Sequence, residues 1–365
     1  VTTNQKILLQ LLFFLSIASC IAIYFAEQTG QYSTNFLFQQ ILFLAISSVV
    51  CFVLSKWPLQ SIRKWLWLIY PIFILLLIGL QFTTETNGAR RWYKLLGFSF
   101  QPTEILKSFF ILALAAVAVR YEKKPAKQIL ALTLTAVPIL FLIFREPDLG
   151  STIVYFVTFF AILLIANASR KWIFTLLLSA FTVFSAIFYV VFYHLEWLRV
   201  VGLEPYQFAR ILSWIDPSSD PSASYQVNLS LVAVGSGGMS GRSGQIYIPE
   251  SHTDMIFSTI ANQFGFIGAS LLLFLFLLFI QVLIRFALDA KTRFSVYIYT
   301  GFAVYFAFNI FENIAMTIGL MPLTGIPLPF ISYGGSSVLG NFIAIGILLA
   351  VSRYEKEYAQ SLSSN

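Results

Sequence analysis

Polar positions in this chain are sparse and clustered, and long apolar runs lie between the clusters. Reading from cluster to cluster gives ten candidate spans, near 7–26, 36–55, 65–82, 104–119, 128–144, 150–166, 172–193, 257–284, 296–318 and 335–352. A helix needs about 20 mostly apolar residues to cross a bilayer. Only helices and closed barrels satisfy their backbone in lipid. Runs such as Phe257 to Ile284 lack the period-two alternation of a barrel strand. The expected fold is therefore an all-α polytopic membrane protein of about ten transmembrane helices. The first run could pass for the core of a signal peptide, but no small-residue cleavage site follows it cleanly and nine more spans do. No internal repeat is visible, which weakens an inverted-repeat transporter.

One long connection interrupts this single domain of residues 1–365: a loop at 194–256, between spans seven and eight. Within it, Tyr206 to Ile215 reads as an amphipathic interfacial helix, broken by Asp216-Pro217-Ser218-Ser219-Asp220-Pro221. Tyr225 to Val234 reads as a second short helix, ended by a flexible glycine-rich stretch at 235–241.

Composition agrees with the pattern. The 365 residues are 58% hydrophobic and 11% charged, with mean hydropathy +0.81. Soluble domains carry about 25% charged residues, so an ordinary cytosolic enzyme, a disordered tail and a nucleic-acid-binding module are excluded. Cys20 and Cys51 lie in apolar runs and suggest packing, with no disulfide framework or thiolate metal site.

The net charge of +7 matters less than its distribution. With an even number of spans both termini share a side. The connections on that side carry fifteen basic and four acidic residues, and those opposite carry seven basic and ten acidic. The positive-inside rule places both termini in the cytoplasm and the 194–256 loop outside. Arg90, Arg91 and Lys94 form a basic cluster on the wrong side for that rule. They suit either an anionic group such as a phosphate at the outer headgroup level or ordinary anionic lipid.

Three polar features could carry chemistry. Glu250-Ser251-His252-Thr253-Asp254 directly precedes the eighth span. Thr253 reads as an N-cap, placing an ionised Asp254 in the first turn at the outer surface. Its plain alternative role is compensation of the helix dipole. His252, a single imidazole, is weak evidence for a metal. In the second feature, Glu104 and Lys107 are i,i+3 neighbours after Pro102-Thr103. Charges inside a span usually face a cavity or a partner, and Arg145 and Asp148, flanking a short turn at Pro147, fit the same polar region. The third is Pro322 to Ser337, whose three prolines and glycine pair cannot form a regular span. It suggests a re-entrant element whose broken backbone lines a cavity or is buried in protein, with Ser332, Ser336 and Ser337 as hydrogen-bond donors; a simple polar loop is the alternative.

Together the Asn87-Gly88-Ala89-Arg90-Arg91-Trp92, Glu146-Pro147-Asp148-Leu149-Gly150, Tyr225-Gln226, Pro249-to-Asp254 and Gly325-to-Ser337 segments resemble the SEDS family (shape, elongation, division and sporulation), which includes RodA, FtsW and SpoVE. The likeness covers nearly the whole chain, and the short termini are more RodA-like than FtsW-like. It implies a peptidoglycan glycosyltransferase that polymerises lipid II on the outer face of the cytoplasmic membrane. The donor glycan would pass from undecaprenyl diphosphate to the 4-hydroxyl of an acceptor GlcNAc, with inversion to a β-1,4 linkage. The resemblance further implies a class B penicillin-binding protein as partner, and the family's required external acid matches Asp254. Asn262-Gln263 departs from the acidic residues many members carry there, and Asn228-Leu229-Ser230 after Tyr225-Gln226 is also less typical.

Such a reaction needs a base for an alcohol and positive charge for a departing diphosphate. Asp254 is the candidate base, with an expected pKa near the reference ~3.9. Arg90, Arg91, Arg145, Arg199, Arg210 and Arg242 are the pool for the diphosphate, while Glu104 and Lys107 shape the cavity. A divalent cation, Mg²⁺ or Mn²⁺, could bridge the diphosphate, although no ligand set is readable. The rivals are a flippase for lipid-linked precursors and a non-catalytic scaffold for the penicillin-binding protein.

Overall fold

The computed structural model describes residues 3–28, 30, 35–84, 90–95, 98–166, 205–218, 221–242, 244 and 246–363, with isolated positions between 167 and 204. Among the described residues, nine helices are long and apolar enough to cross a membrane. They are α1 (Thr3–Glu27), α2 (Phe36–Lys56), α3 (Leu59–Leu80), α4 (Pro102–Arg120), α5 (Pro125–Arg145) and α6 (Leu149–Ala166), then α9 (Ile256–Asp289), α10 (Arg293–Thr317) and α11 (Gly335–Ser363). Two shorter helices, α7 (Pro205–Ile215) and α8 (Pro221–Ser236), occupy the long connection where the sequence reading expects them. The protein is thus a multi-pass, all-α membrane protein. The seventh expected span, 172–193, lies for the most part outside the described residues.

Local chemistry sets several helix starts. Asn35 caps α2 by accepting from the Phe38 amide, Thr292 caps α10 by accepting from the Ser295 amide, and Pro102 and Pro125 occupy first turns. The periodicity does not anticipate a small antiparallel hairpin, β1 (Tyr93–Leu95) and β2 (Phe98–Phe100), which pairs Tyr93 with Phe100 and Lys94 with Ser99.

α4 is the axis of the bundle. Nearly every side chain from Pro102 to Ala118 is buried, against α3, α5, α6, α10 and α11. Ala113, Ala115, Ala116 and Ala118 let neighbouring backbones approach closely, which drives helix association where no water is present to be expelled. α2 is the opposite case, turning Phe38, Val49 and Phe52 outward toward lipid. A helix covered on all sides carries its polar residues into the protein interior, and α4 does this with Glu104 and Lys107.

On the side that carries α7 and α8 the backbone breaks twice. α9 departs from helical geometry at Gly265 (φ 63°, ψ −161°). The 237–242 turn docks there: the Phe266 and Ile267 amides donate to Gly238 and Met239 carbonyls at 2.8 and 3.0 Å, and Arg242 N donates to Asn262 O at 3.0 Å. A Cβ at position 265 would lie 2.4 Å from the Gly241 nitrogen, so only glycine fits. The glycine-rich stretch expected to be flexible is therefore tied to a broken helix. The second break runs from Ile318 to Gly334, non-helical between α10 and α11 as expected, exposed at Leu320 and buried from Leu328 to Ser332.

Candidate active site

The second of these breaks lines a cavity of 280 Å³ at the end of the bundle that carries α7 and α8. Its inner wall is the first turn of α4, where Lys107 Nζ meets Glu104 Oε1 at 2.6 Å with both side chains almost fully buried. The ammonium also lies 5.5 Å from the Tyr305 ring centre. The start of α6 supplies a second wall. Asp148 Oδ1 accepts from the Ser151 amide at 3.1 Å, and Gln101 Nε2 donates to Asp148 Oδ2 at 3.4 Å.

Arg91 closes that wall. Its guanidinium donates to the Glu146 carbonyl at 3.2 Å and to the Pro147 carbonyl, and lies 3.7 Å from Asp148 Oδ1. Glu146 is buried beneath it; burial, then the Asp148 charge, push its carboxyl up to about 9 against the opposing pull of Arg91. α7 lies across the opening. Gln207 donates to Pro147 O at 2.7 Å, Arg210 Nη1 to Leu323 O at 3.2 Å and Trp214 to Gly319 O at 3.1 Å. An amphipathic helix thereby ties the α5–α6 turn to the 318–334 segment.

Asp254 projects into this space from the turn before α9. The backbone there is tight. Glu250 has φ 56°, in the left-handed region that costs a non-glycine residue about 1 kcal/mol or more, and its carbonyl accepts from both Thr253 N and Met255 N. α9 begins at Ile256 with Met255 at the cap position and no side-chain cap bond. The expected Thr253 cap and helical Asp254 are thus corrected. Thr253 Oγ1 instead lies 2.9 Å from Glu250 Oε2 and 3.3 Å from Asp254 Oδ1.

Two side chains fix the turn from beneath. Asn313 of α10 donates to the Asp254 and Ile326 carbonyls at 2.8 and 2.7 Å, and Ser332 donates to the Thr253 carbonyl at 2.5 Å. The Asp254 side chain is 92% buried, where a surface position is expected. Burial, then the Glu250 charge, push its carboxyl up to about 6; Arg210 and the hydrogen bonds pull the other way. The expected pKa near 3.9 is corrected accordingly. Gly325 faces this arrangement in a backbone conformation that favours glycine. It has φ +77°, and a Cβ there would sit 3.5 Å from Arg210 Nη1 and 3.6 Å from Asp254 Oδ2, between cation and carboxylate.

The cavity therefore brings together Asp254, Glu104, Arg91 and Arg210 from the sequence candidates. Lys107 backs Glu104. Arg90 is exposed and donates to Gln81 O at 2.8 Å, Lys94 is exposed on β1, and Arg145 and Arg242 are exposed. None of these four lines the cavity. Arg199 lies outside the described residues. His252 stacks on Phe36 with ring centres 4.2 Å apart, and burial pushes its imidazole pKa down, so it is neutral near pH 7. Ser332 and Ser336 serve backbone: Leu328 N donates to Ser332 Oγ and Gln101 N to Ser336 Oγ. Ser337 lines the cavity.

Sequence reasoning misses Trp92, Gln101 and Tyr333 in the lining, and Asn313 behind it. Asn313 sits in a span whose residues are buried on every side, so periodicity marks no special face; its one signal is a carboxamide in an apolar run. The departure at Asn262 has a structural explanation, since its amide donates to Ala233 O at 3.2 Å and Ser236 Oγ at 2.9 Å, holding α8 on α9. Among the described residues, no three His, Cys, Asp or Glu side chains converge as a metal-ligand set.

Comparison with known proteins adds a family. Residues 2–357 match the FTSW_RODA_SPOVE family model, described as "Cell cycle protein". A probable peptidoglycan glycosyltransferase FtsW of Coxiella burnetii is 33% identical, covering 94% of this chain and 92% of its own length. The stage V sporulation protein E of Bacillus subtilis is 32% identical over 87% of each chain. The peptidoglycan glycosyltransferase MrdB of Escherichia coli K12 is 31% identical, covering 87% and 86%. Among solved structures, a chain from a peptidoglycan synthase complex that coordinates polymerization and crosslinking superposes with TM-score 0.78, 26% identity and 95% and 97% coverage. The rod-shape-determining protein RodA of Thermus thermophilus gives 0.65, 25% identity and 95% and 96% coverage.

Proposed function

The chain belongs to the FtsW/RodA/SpoVE family, and from that premise we propose that it is a peptidoglycan glycosyltransferase whose chemistry takes place in the Asp254 cavity. It polymerises lipid II into glycan strands. The observation that carries the site assignment is the convergence of a buried carboxylate, two guanidinium groups and an intramembrane ion pair on one external cavity.

In this reading the 4-hydroxyl of an acceptor GlcNAc attacks the anomeric carbon of the donor sugar. The bond from that carbon to the diphosphate oxygen breaks with inversion, and the hydroxyl proton passes to Asp254. A carboxylate with pKa about 6 holds a proton better than an ordinary aspartate and is still mostly ionised at neutral pH. Undecaprenyl diphosphate leaves with its charge opposed by Arg210 and Arg91, in a cavity where limited water strengthens both interactions. Asn313 and Ser332 act as positioning residues, fixing the turn that carries Asp254, and Gly325 faces it. Glu104 and Lys107 keep the inner wall polar.

The excess of basic residues on the terminal side supports a cytoplasmic location for both termini, in the bacterial inner membrane, with the cavity facing out. The likeness to a synthase-complex subunit and to RodA supports an elongation role with a class B penicillin-binding protein. Relatives named FtsW and MrdB are almost equally similar in sequence, so division is the second role to test.

The test is polymerisation of fluorescent lipid II by the purified full chain with its cognate partner, read as glycan length on a gel. Glycan ladders that persist when the partner's transpeptidase serine is replaced would support the enzyme. Intact complexes that make no glycan while translocating lipid II in vesicles would favour the flippase, and binding with neither activity would favour the scaffold.

A further inference from the structure

At the opposite end of the bundle a second, larger cavity of 500 Å³ opens between α1, α2 and α11. Its lining is mostly apolar, with Leu9, Leu12, Phe52, Phe342 and Leu349, and is interrupted by Gln5, Ser48 and Ser55. Its mouth carries Lys56 at the end of α2 and Arg353 and Lys356 on α11. Lys56 and Lys356 are exposed, and Lys56 Nζ lies 5.5 Å from the Phe52 ring centre. Arg353 donates to Trp57 O at 3.0 Å and lies 3.7 Å from Glu357, so α11 holds one cation at the rim through the α2–α3 turn.

The dimensions match one leaflet. Along α11 the rise from Arg353 to Phe342 is about 16 Å, against ~15 Å for half the hydrocarbon thickness. A bilayer helix end with basic residues above an apolar groove of that depth presents charge to a phosphate and surface to a chain, in that order. A neutral headgroup would leave Lys56 and Lys356 unmatched, since Glu357 already faces Arg353, and a soluble phosphate would leave the groove unfilled. We infer that this cavity binds one anionic phospholipid, with its phosphate among Lys56, Arg353 and Lys356 and one acyl chain against Leu12, Leu349 and Phe342. The site is on the opposite end of the bundle from the Asp254 cavity and is independent of the glycosyl-transfer reading.

The test uses the delipidated full chain in detergent, titrated with dioleoylphosphatidylglycerol or dioleoylphosphatidylcholine and read by native mass spectrometry. Basic side chains near a membrane surface favour anionic lipid by roughly fivefold each. Phosphatidylglycerol should therefore bind in preference to phosphatidylcholine, and K56Q/K356Q should lower that preference tenfold or more while thermal unfolding stays unchanged. K123Q/K124Q, which removes the same charge from the α4–α5 turn at the same end, should leave it intact. Equal retention of the two lipids, or equal loss in both double variants, would overturn the proposal. So would displacement of phosphatidylglycerol by millimolar inorganic phosphate, which would reveal a headgroup site with no use for the groove.

Discussion

Two ion pairs at opposite ends of the bundle show how differently this protein uses charge. Lys107 and Glu104 meet at 2.6 Å with 3% and 4% of their side-chain surface exposed. Arg293 and Glu122 meet at 3.3 Å with 64% and 40% exposed. The second pair sits where water competes for both partners and contributes ~0–1 kcal/mol. In the first, desolvation is largely offset by the partner, so removing one member strands the other. Near the buried pair the backbone breaks, the Glu146 and Asp254 carboxyls gain proton affinity and cations face inward. Around the exposed pair the helices run unbroken and the charges follow the membrane-topology rule. Continuous helix with solvated charge anchors the fold, and broken backbone with buried charge forms the proposed reaction site.

The contrast can be broken most severely at Asp254. Asp254→Asn should lower polymerisation ~10²- to 10⁴-fold, the usual range for a lost general base. It should also stabilise the protein at neutral pH. The folded carboxyl titrates at about 6, above its ordinary value, so between about 4 and 6 the folded state binds more protons than the unfolded one. Stability from this group is therefore full at low pH and declines as pH rises through that window. A neutral amide escapes the loss, and thermal scans should show the variant's advantage near zero at about pH 3.5, partial at pH 5 and full at pH 8. An inactive variant that is more stable is the signature of a group kept for function.

Next comes the pair itself. Lys107→Met should destabilise the protein by about 3–5 kcal/mol, whereas Arg293→Gln should change stability by less than about 1 kcal/mol. Parallel thermal melts in detergent would check both, and equal losses would erase the distinction between the two ends. A smaller effect is expected at Gly325. Alanine there must adopt φ +77° beside Arg210 and Asp254. Gly325→Ala should slow turnover by up to about tenfold through the strain of a side chain at φ +77° in the segment facing Arg210 and Asp254, with a modest fall in melting temperature.

Much of this architecture is legible in the sequence. The spans follow from hydropathy because lipid demands continuous apolar helices, and Glu104 and Lys107 reveal themselves by their spacing in an apolar run. What escapes is set by the direction in which the chain turns. Arg145 and Glu146 are adjacent at the end of α5, yet the first is exposed and the second buried, an outcome decided by the turn at Pro147 and by Arg91 reaching its carbonyls. Likewise Thr253 has the chemistry of an N-cap, but the Glu250 turn delays α9 to Ile256 and leaves Asp254 in the cavity. Asn313 acts across distant parts of the chain, and the residues it holds, at 254 and 326, are neighbours only after folding.

The central claim is that Asp254 is the proton acceptor and that its surroundings tune it. The most direct measurement is the polymerisation rate against pH for the wild type and Glu250→Gln, with substrate and partner held constant. Glu250 is the second-largest cause of the raised Asp254 pKa, so removing its charge should lower the point at which activity is lost. The account predicts a wild-type rate that rises through about pH 6 and levels above it, and an inflection at lower pH in the variant. A flat profile, or an inflection that stays in place when Glu250 is neutralised, would contradict it.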